Sequence, residues 1–303
     1  MARVARIARL LFTALLLSFG LAGEGLAPHP SLAASIDCSG TSATPTAAAS
    51  PIAQPPASPV AFPANGGSLT VFAAASLTDA FNQMAKDLEA AHPGLKIEFN
   101  FAGSQTLVSQ LKEGAQADVF ASANTTQMTA AVKNGSIEGT PAIFTQNRLT
   151  IVVPKDNPAK IASPADLAKA GTKLVLAAAS VPVGQYARAS ICKMNADAAA
   201  FGSDFGNKVG ANVVSEENDV KAVLAKVQTG EADAGIVYTT DITPSAAQDV
   251  TQIAIPAAVN IVAKYPIAAV KGGNQELANV FIAYVLGPEG QATLKSFGFE
   301  PAP

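Results

Sequence analysis

The chain contains no tryptophan, only two cysteines and two histidines, and comparatively few charges. Charged residues fill 14% of its 303 positions, and 20 Lys and Arg against 23 Asp and Glu give a formal net charge of −3. Without a basic surplus, the chain lacks the electrostatic footprint that nucleic acid or an anionic lipid surface requires. Its 49% hydrophobic share is that of a globular protein and excludes disorder along the whole length.

Residues that could support catalysis are also scarce. His29 lies in the predicted export signal, and His92 is predicted to be a solvated turn residue. The sequence has no Gly-x-Ser-x-Gly elbow, no zinc-ligand spacing, no phosphate loop and no Gly-x-Gly-x-x-Gly fingerprint. Ser190 and Lys193 match the Ser-x-x-Lys of penicillin-recognising enzymes, but the companion motifs are missing. A serine enzyme therefore stays only as a remote alternative.

Residues 1–33 are predicted to be a signal peptide. Three arginines precede an apolar stretch over 10–22, and a small-residue site ends at Ala33. This stretch is shorter than the roughly 20 residues that a membrane-spanning helix needs. We therefore expect an exported protein, in the periplasm or on the outer face of the cytoplasmic membrane.

Residues 34–66 are predicted to be a disordered stalk. They are rich in Ala, Ser and Thr, contain six prolines and show almost no charge or periodicity. Cys38 raises the question of a lipid tether, which is disfavoured because Asp37 directly precedes it and the apolar core of the signal lies far upstream. In an oxidising compartment Cys38 and Cys192 can pair, and two free thiols are the equal alternative.

Residues 67–303 alternate between strand and helix patterns. Apolar runs of strand length alternate with helical spacing such as that of Leu77, Phe81, Met84 and Leu88. The predicted strands are 68–75, 96–101, 118–121, 149–153, 174–178, 212–214, 235–238 and 267–270. The predicted helices are 77–91, 105–113, 164–170, 184–194, 218–229 and 275–298. This alternation predicts an α/β protein with largely parallel sheets.

One short phrase occurs twice in the folded body. A helix that ends in Gly is followed by Ala-Asp and a strand, once at 114–120 and again at 230–238. The recurrence indicates either two similar lobes or a joint that is common in α/β proteins.

Several strand-to-helix turns begin with hydroxyl or small residues, at Ser76, Ser104, 183–184 and 218–220. In α/β sheets such turns gather at the carboxyl ends of strands, where ligands bind. Each helix start presents free N–H groups and a partial positive charge, so converging starts can bind an anion without any Lys or Arg. The alternative is ordinary capping, with Ser76 and Asp79 as a capping box and Ser104 as an N-cap.

Eight segments of the folded body together form a recognisable pattern. In chain order they are VFAAASLTDAF, FAGSQTL, GAQADVFASA, NRLTIVVPKDNP, VPVGQYARA, ENDVKAVLAKVQTGEADAGIVYTTD, YPIAAVKGG and YVLGPEGQATLKSFGF. These segments resemble, in this order, the molybdate-binding proteins of ABC transporters. The resemblance covers essentially all of 68–301, and the signal and stalk fall outside it. Its most specific parts are AAASLTDAF and ADAGIVYTTD at their observed separation.

The resemblance implies a two-lobed fold of the periplasmic-binding-protein type II, with a ligand cleft between the lobes. Two crossovers would lie near 147–154 and 262–266. Lobe one would comprise 67–147 plus 265–303, and lobe two 148–264.

The resemblance also implies the ligand site, in which neutral groups hold a tetrahedral oxyanion. No side chain would coordinate a metal directly, since molybdenum is bound as the oxyanion, and no cofactor is implied. The donors would be the hydroxyl and backbone N–H of Ser76 and Ser104, the backbone N–H of Val183 and Val220, and the hydroxyl of Tyr238.

Two positions depart from the family pattern. Gln105 and Gly103 flank Ser104 where serines are frequent, and Val183 replaces the commoner alanine. Because Val183 would contribute its N–H, we expect its side chain to change the size of the cavity more than its hydrogen bonding.

The implied activity is capture of molybdate, or tungstate, by a monomer that delivers it to the permease and ATPase of an ABC importer. Cavity size would exclude the smaller sulfate. A binder of another oxyanion or of a metal ion remains the alternative, although the four tyrosines Tyr186, Tyr238, Tyr265 and Tyr284 are isolated in the sequence, whereas ferric-ion binders usually present adjacent tyrosines.

Overall fold

The computed structural model of the chain describes residues 36–38, 62–64 and 66–303. The predicted signal peptide and most of the predicted stalk lie outside the described residues. The strands are β1 (Gly67–Ala74), β2 (Leu95–Ala102), β3 (Val119–Ala121), β4 (Ile137–Pro154), β5 (Leu174–Ala177), β6 (Val213–Glu217), β7 (Ala234–Tyr238), β8 (Val250–Ala254), β9 (Val262–Val270) and β10 (Glu300–Pro301). The α-helices are α1 (Thr78–Ala91), α2 (Ser104–Lys112), α3 (Thr125–Lys133), α4 (Pro182–Ala196), α5 (Ala198–Phe201), α6 (Phe205–Ala211), α7 (Val220–Gln228), α8 (Ala246–Asp249), α9 (Gln275–Leu286) and α10 (Pro288–Ser296). Three short 3₁₀ helices span Ala75–Leu77, Pro164–Ala168 and Thr239–Asp241.

The long strand β4 joins the two lobes of the α/β fold. Its residues from Ile137 to Arg148 pair with β9, whereas Leu149 and the residues after it pair with β7 and β8. The strand order is β2-β1-β3-β9-β4-β7-β5-β6, with β8 and β10 also paired to β4. We call the side that carries β1, β2, β3 and β10 the first lobe, and the side that carries β5, β6, β7 and β8 the second lobe.

The sheet is mixed, which corrects the prediction of largely parallel sheets. Within each lobe the pairs β1–β2, β1–β3, β5–β6 and β5–β7 are parallel, as βαβ connections require. By contrast, β4 and β9 pair antiparallel with each other and with their other neighbours. These two strands run between the lobes, so their direction is set by the crossover and not by a local βαβ unit.

Aromatic side chains hold the first lobe together around Phe81 of α1. Its ring lies 6.0 Å from Phe144, 5.9 Å from Phe281 and 6.0 Å from Phe99, measured between centroids. Phe81, Phe144 and Phe281 are fully buried. Burying side chains of this size contributes roughly 1.5–3 kcal/mol each, so this cluster fixes α1 and α9 on the sheet.

The twice-occurring Gly-Ala-Asp joint has the same structure in both lobes. Asp118 accepts from the backbone N–H of Thr70 at 2.7 Å, and Asp233 accepts from the N–H of Lys173 at 2.8 Å. The Asp118 and Asp233 N–H groups donate in return to the Thr70 and Lys173 carbonyls, each at 2.8 Å. Each aspartate thus ties its strand to the beginning of the neighbouring strand, β1 or β5.

Two short N-terminal segments within the predicted stalk pack on the folded body. Ile36 is buried, and Cys38 forms a disulfide with Cys192 of α4. Phe62 is buried too, and its ring lies 4.7 Å from that of His92. The disulfide engages the Cys38 thiol, so that sulfur cannot at the same time form the thioether of a lipid anchor.

Several elements differ from their predictions. The predicted helix 275–298 is divided at Gly287 and Pro288 into α9 and α10. The sequence patterns did not reveal α3, α5, α6, α8, β8 or β10, and for β4 and β9 they revealed only the second half of the strand. No helix among residues 36–38, 62–64 and 66–303 has both the length and the apolar character needed to cross a bilayer.

Candidate functional site

All five predicted ligand residues lie around one cavity between the lobes. The first lobe contributes the turns after β1 and β2, and the second lobe contributes the N-termini of α4 and α7 and the end of β7. The lining residues are Ala74, Ala75, Ser76, Ala102, Gly103, Ser104, Ala123, Val181, Pro182, Val183, Asp219, Val220 and Tyr238.

Four helical segments begin at this cavity. Ser104 is the first residue of α2, Val220 is the first residue of α7, and Val183 follows Pro182 at the start of α4. Ser76 lies in the 3₁₀ helix Ala75–Leu77, which leads into α1. The first N–H groups of a helix have no carbonyl partner within that helix and carry its partial positive charge. The cavity is therefore surrounded by backbone donors without a basic side chain.

The hydroxyl of Ser76 contacts β9, the second strand that runs between the lobes, and does not cap a helix. Its Oγ lies 2.9 Å from the hydroxyl of Tyr265 on β9, and both residues are buried. Asp79, the presumed capping-box partner, instead forms an ion pair with Lys221. The capping-box alternative is therefore wrong, because neither serine nor carboxylate bonds to the first turn of α1.

The hydroxyl of Ser104 is also engaged away from its own helix. The N-cap of α2 is Gly103, so Ser104 is not the N-cap that the plainer interpretation required. Its Oγ accepts a hydrogen bond from the backbone N–H of Ala123 at 3.0 Å. Because an amide N–H can only donate, the hydroxyl hydrogen of Ser104 is left for another acceptor.

Tyr238 presents a buried hydroxyl that has no hydrogen-bond partner within the part of the chain that the structure describes. Its ring lies 5.8 Å from the ring of Tyr265 in an edge-to-face arrangement. Burial, reinforced by the neighbouring Tyr265, raises the pKa of Tyr238 well above its usual value. The phenol therefore stays neutral and keeps a hydrogen to donate, and a buried donor without a partner is costly.

The cavity is small and has little charge. About 10 Å³ of it is open to the centre of a water-sized sphere, which is near the minimum that holds one water molecule. Asp219 is the one ionisable carboxyl among the lining residues, and its Oδ1 accepts from the N–H of Ala222 at 3.0 Å as the N-cap of α7. A tetraoxoanion is larger than one water molecule, so it fits between these residues only when the lobes stand further apart than they do here.

A partly exposed ion cluster, of which only Asp241 is buried, lies beside the start of α7. Lys221 Nζ is 2.9 Å from Asp79 of the first lobe and 3.6 Å from Asp241, which follows β7. Burial raises the pKa of Asp241 to about 6, against the opposing effects of Lys221 and the Tyr238 N–H. The pKa of Lys221 is lowered by burial but raised more by Asp241 and Asp79, so the net shift is upward.

Side-chain hydrogen bonds also join the two lobes across the cleft. Gln105 Nε2 donates to the Asn218 carbonyl at 2.8 Å, so this departure from the family pattern bridges the lobes. Two further hydrogen bonds also bridge the lobes. Asn124 Nδ2 donates to Gln185 Oε1 at 2.9 Å, and Gln127 Nε2 donates to the Ser180 carbonyl at 3.0 Å.

The Ser-x-x-Lys match has a structural explanation. The buried Ser190 hydroxyl donates to the Val259 carbonyl at 2.8 Å, and Lys193 Nζ donates to the Asn260 carbonyl at 3.2 Å. Both side chains fix the segment before β9 onto α4, and neither lines the cavity. The serine-enzyme alternative is therefore not supported by their placement.

The tyrosines are less isolated than the sequence indicated, because Tyr238 and Tyr265 meet in space. Burial raises the pKa of both hydroxyls, so without a cation beside them both phenols stay neutral. Residues 36–38, 62–64 and 66–303 also contain no group of three or more His, Cys, Asp or Glu that could hold a metal ion. The site is better suited to an anion than to a cation.

A two-lobed α/β fold with a small cleft lined by hydrogen-bond donors is the architecture of a ligand-binding protein. The family "Bacterial extracellular solute-binding protein" matches residues 69–300. The molybdate-binding protein ModA of Mycobacterium bovis is 43% identical over 246 residues, which cover 80% of this chain and 89% of that protein. ModA of Haemophilus influenzae is 33% identical over 241 residues, with 76% and 89% covered.

The solved structure of a molybdate-binding protein has the same fold as this chain. The periplasmic molybdate-binding protein of Azotobacter vinelandii superposes with a TM-score of 0.66 at 18% identity, covering 78% of this chain and all of that one. The chain belongs to the bacterial extracellular solute-binding protein family.

Proposed function

We propose that this protein captures molybdate outside the cytoplasmic membrane and delivers it to an ABC importer. Tungstate, which has the same charge and tetrahedral shape, is expected to bind as well. Molybdate is the ligand and not a cofactor, and the protein acts as a carrier and not as an enzyme. The proposal draws on the family relationship and on the uncharged hydrogen-bond donors that line the cavity.

The convergence of helix starts on one cavity carries this proposal. A dianion removed from water needs a nearly complete shell of charge-assisted hydrogen bonds, each worth roughly 1.5–3 kcal/mol. The proposed shell consists of the hydroxyl and backbone N–H of Ser76 and Ser104, the backbone N–H of Val183 and Val220, and the Tyr238 hydroxyl, all from residues at the cavity.

Selectivity follows from the rigidity of these donors. Sulfate has the same charge as molybdate but is smaller, so donors fixed at helix starts cannot all reach its oxygens. The buried side chain of Val183 contributes to the size of this cavity. We therefore expect discrimination by size and not by charge.

Delivery to the importer depends on closure of the cleft. We assign residues 67–147 plus 265–303 to lobe one and 148–264 to lobe two, so the proposed shell draws on both. An anion at the centre would favour the closed arrangement in which Gln105 and Asn218 meet. A permease and an ATPase would recognise the closed monomer. The disulfide at Cys38 favours a protein without a lipid on that residue.

Calorimetric titration of the purified chain tests the proposal. Molybdate and tungstate should each bind tightly with one-to-one stoichiometry, and excess sulfate should not displace them. Absence of heat with molybdate, or displacement by equimolar sulfate, would contradict the proposed function.

A further inference from the structure

Tyr265 is buried directly behind Ser76, although the sequence assigned it no role. Its hydroxyl lies 2.9 Å from Ser76 Oγ, and its ring packs edge-on against Phe144, Tyr238 and Phe299. The side chain is fully buried. This packing holds the hydroxyl at one place, so the contact with Ser76 is a fixed feature of the site.

The direction of the contact can be determined from Asn147 on β4. The backbone N–H of Arg148 points at one side-chain atom of Asn147 at 2.9 Å, and an N–H needs an acceptor, so that atom is Oδ1. The Thr239 hydroxyl donates to the same oxygen at 3.1 Å. The amide nitrogen of Asn147 therefore faces Thr240 at 2.8 Å and Tyr265 at 3.4 Å.

An amide nitrogen can only donate, so the Tyr265 oxygen accepts from Asn147. The hydrogen of Tyr265 is then free to be donated. Ser76 Oγ accepts it at 2.9 Å, since the Tyr238 hydroxyl, although close enough to influence the pKa of Tyr265, has no hydrogen bond of normal geometry within the described chain. Since Ser76 receives that hydrogen, its own hydrogen must point elsewhere. Ser76 lines the cavity, so the remaining direction is towards the ligand.

We infer that Asn147 and Tyr265 form a directional hydrogen-bond relay that keeps the Ser76 hydroxyl a donor towards the bound oxyanion. Tyr265 is thus a positioning residue, which acts on the ligand through Ser76. The inference rests on the proposed function, because it concerns the same cavity. Ser104 is polarised in the same sense by the Ala123 N–H, so each serine hydroxyl oxygen receives a hydrogen bond from the protein.

The relay should also affect how strongly the site prefers a fully ionised oxyanion over one that carries a proton. A site whose hydroxyls all donate suits a fully ionised oxyanion such as molybdate, whereas hydrogen phosphate carries a hydrogen that needs an acceptor. Without the Tyr265 hydroxyl, the Ser76 hydroxyl can rotate and accept that hydrogen. Loss of the relay should therefore lower the preference for molybdate over hydrogen phosphate.

A double-mutant cycle with calorimetric titration tests the relay. Tyr265→Phe keeps the ring and should weaken molybdate binding by about fivefold to tenfold. Ser76→Ala should weaken it more, and the double variant should bind no worse than Ser76→Ala alone. Tyr284→Phe, which alters a buried tyrosine of α9 away from the cavity, is the matched control and should bind like the unmodified chain.

The outcomes separate the relay from the proposed function. If the unmodified chain binds no molybdate, both are overturned. If it binds and Tyr265→Phe binds equally well, or if the Tyr265→Phe and Ser76→Ala losses simply add, only the relay is overturned. A purely structural role of Tyr265 would weaken molybdate and hydrogen phosphate alike, so an unchanged ratio of the two affinities also contradicts the relay.

Asn147→Leu provides a second test should Tyr265→Phe fail to fold. It removes the amide donor and leaves both hydroxyls in place. Binding of molybdate should weaken in this variant, and the effect should vanish when Ser76 is already alanine. An effect of equal size in both backgrounds would overturn the relay.

Discussion

Lys221 and Asp79 form an ion pair across the ligand cleft, with Nζ 2.9 Å from Oδ2. Lys221 follows Val220 at the start of α7, and Asp79 lies three residues after Ser76. The pair therefore links two of the helix starts that surround the cavity. The same ammonium group lies 3.6 Å from the fully buried Asp241, so closure of the cleft and the charge of Asp241 are coupled.

Asp241 should make the fold less stable as the pH rises. Its pKa is raised from 3.8 to about 6, so between these values the native state holds a proton that the unfolded chain releases. The free energy of unfolding should fall across this window, and the loss should be complete above pH 6. Its size should be on the order of 2–3 kcal/mol.

Urea denaturation of Asp241→Asn from pH 4 to 7 measures this effect. The asparagine can still accept from the Tyr238 N–H, but it does not titrate. The stability of the unmodified chain relative to this variant should therefore decrease with rising pH. Asp87→Asn, at an exposed position of α1, is the control for general charge effects. A flat or rising difference would show that burial of Asp241 carries no such cost.

Gly103→Ala should prevent full closure. The backbone of Gly103, with φ −57° and ψ 136°, is one that alanine adopts freely. A Cβ at this position would overlap the Asn218 carbonyl oxygen of the other lobe. We expect molybdate affinity to fall by at least about tenfold, with an unchanged thermal midpoint in the absence of the anion. Calorimetry that shows undiminished affinity would refute the close approach of the lobes in the bound form.

Tyr238→Phe should affect stability and binding in opposite directions. The variant removes a buried hydroxyl that has no partner within the described chain, so the fold without anion should be equally stable or more stable. It also removes one proposed donor, so molybdate should bind about tenfold more weakly. Thermal unfolding and calorimetry on the same preparation measure both quantities. Equal affinity of the two proteins would remove Tyr238 from the ligand shell.

Removal of the disulfide should destabilise the fold without affecting the ligand site. Cys38 and Cys192 are 154 residues apart, so their bond restricts the unfolded chain strongly and should contribute about 2–5 kcal/mol. The double variant Cys38→Ser with Cys192→Ser should unfold at lower urea concentration and bind molybdate normally. Reduction of the unmodified chain should reproduce this loss of stability. A large loss of affinity would instead connect the N-terminal segment to the cavity.

Local patterns predicted most of the strands and helices of residues 67–303, because their apolar spacing is regular. The pattern failed for the first half of β4, where Gly139 and Pro141 interrupt the strand and several side chains are exposed. It failed also for α3, whose buried face consists only of Met128 and Ala131. The antiparallel direction of β4 and β9 depends on how the lobes connect, which local spacing does not encode.

Four of the five predicted ligand residues follow strand ends, and Tyr238 is the last residue of its strand; the structure brings all five to one cavity. The residues behind them were missed for a different reason. Tyr265 is 189 positions from Ser76, and Lys221 is 142 positions from Asp79. The first contact arises when the chain returns to lobe one through β9, and the second arises when the two lobes come together. The YPIAAV segment marked Tyr265 as part of the family resemblance, but nothing in its neighbours indicated that it touches Ser76.

We expect one oxyanion to be held between these helix starts. A crystal structure of the molybdate complex, with anomalous scattering measured at the molybdenum absorption edge, locates that ion. We expect a single strong peak in the cavity, with the surrounding oxygens within hydrogen-bond distance of Ser76, Ser104, Val183, Val220 and Tyr238. A molybdenum peak elsewhere on the protein, with none between the lobes, would contradict the account.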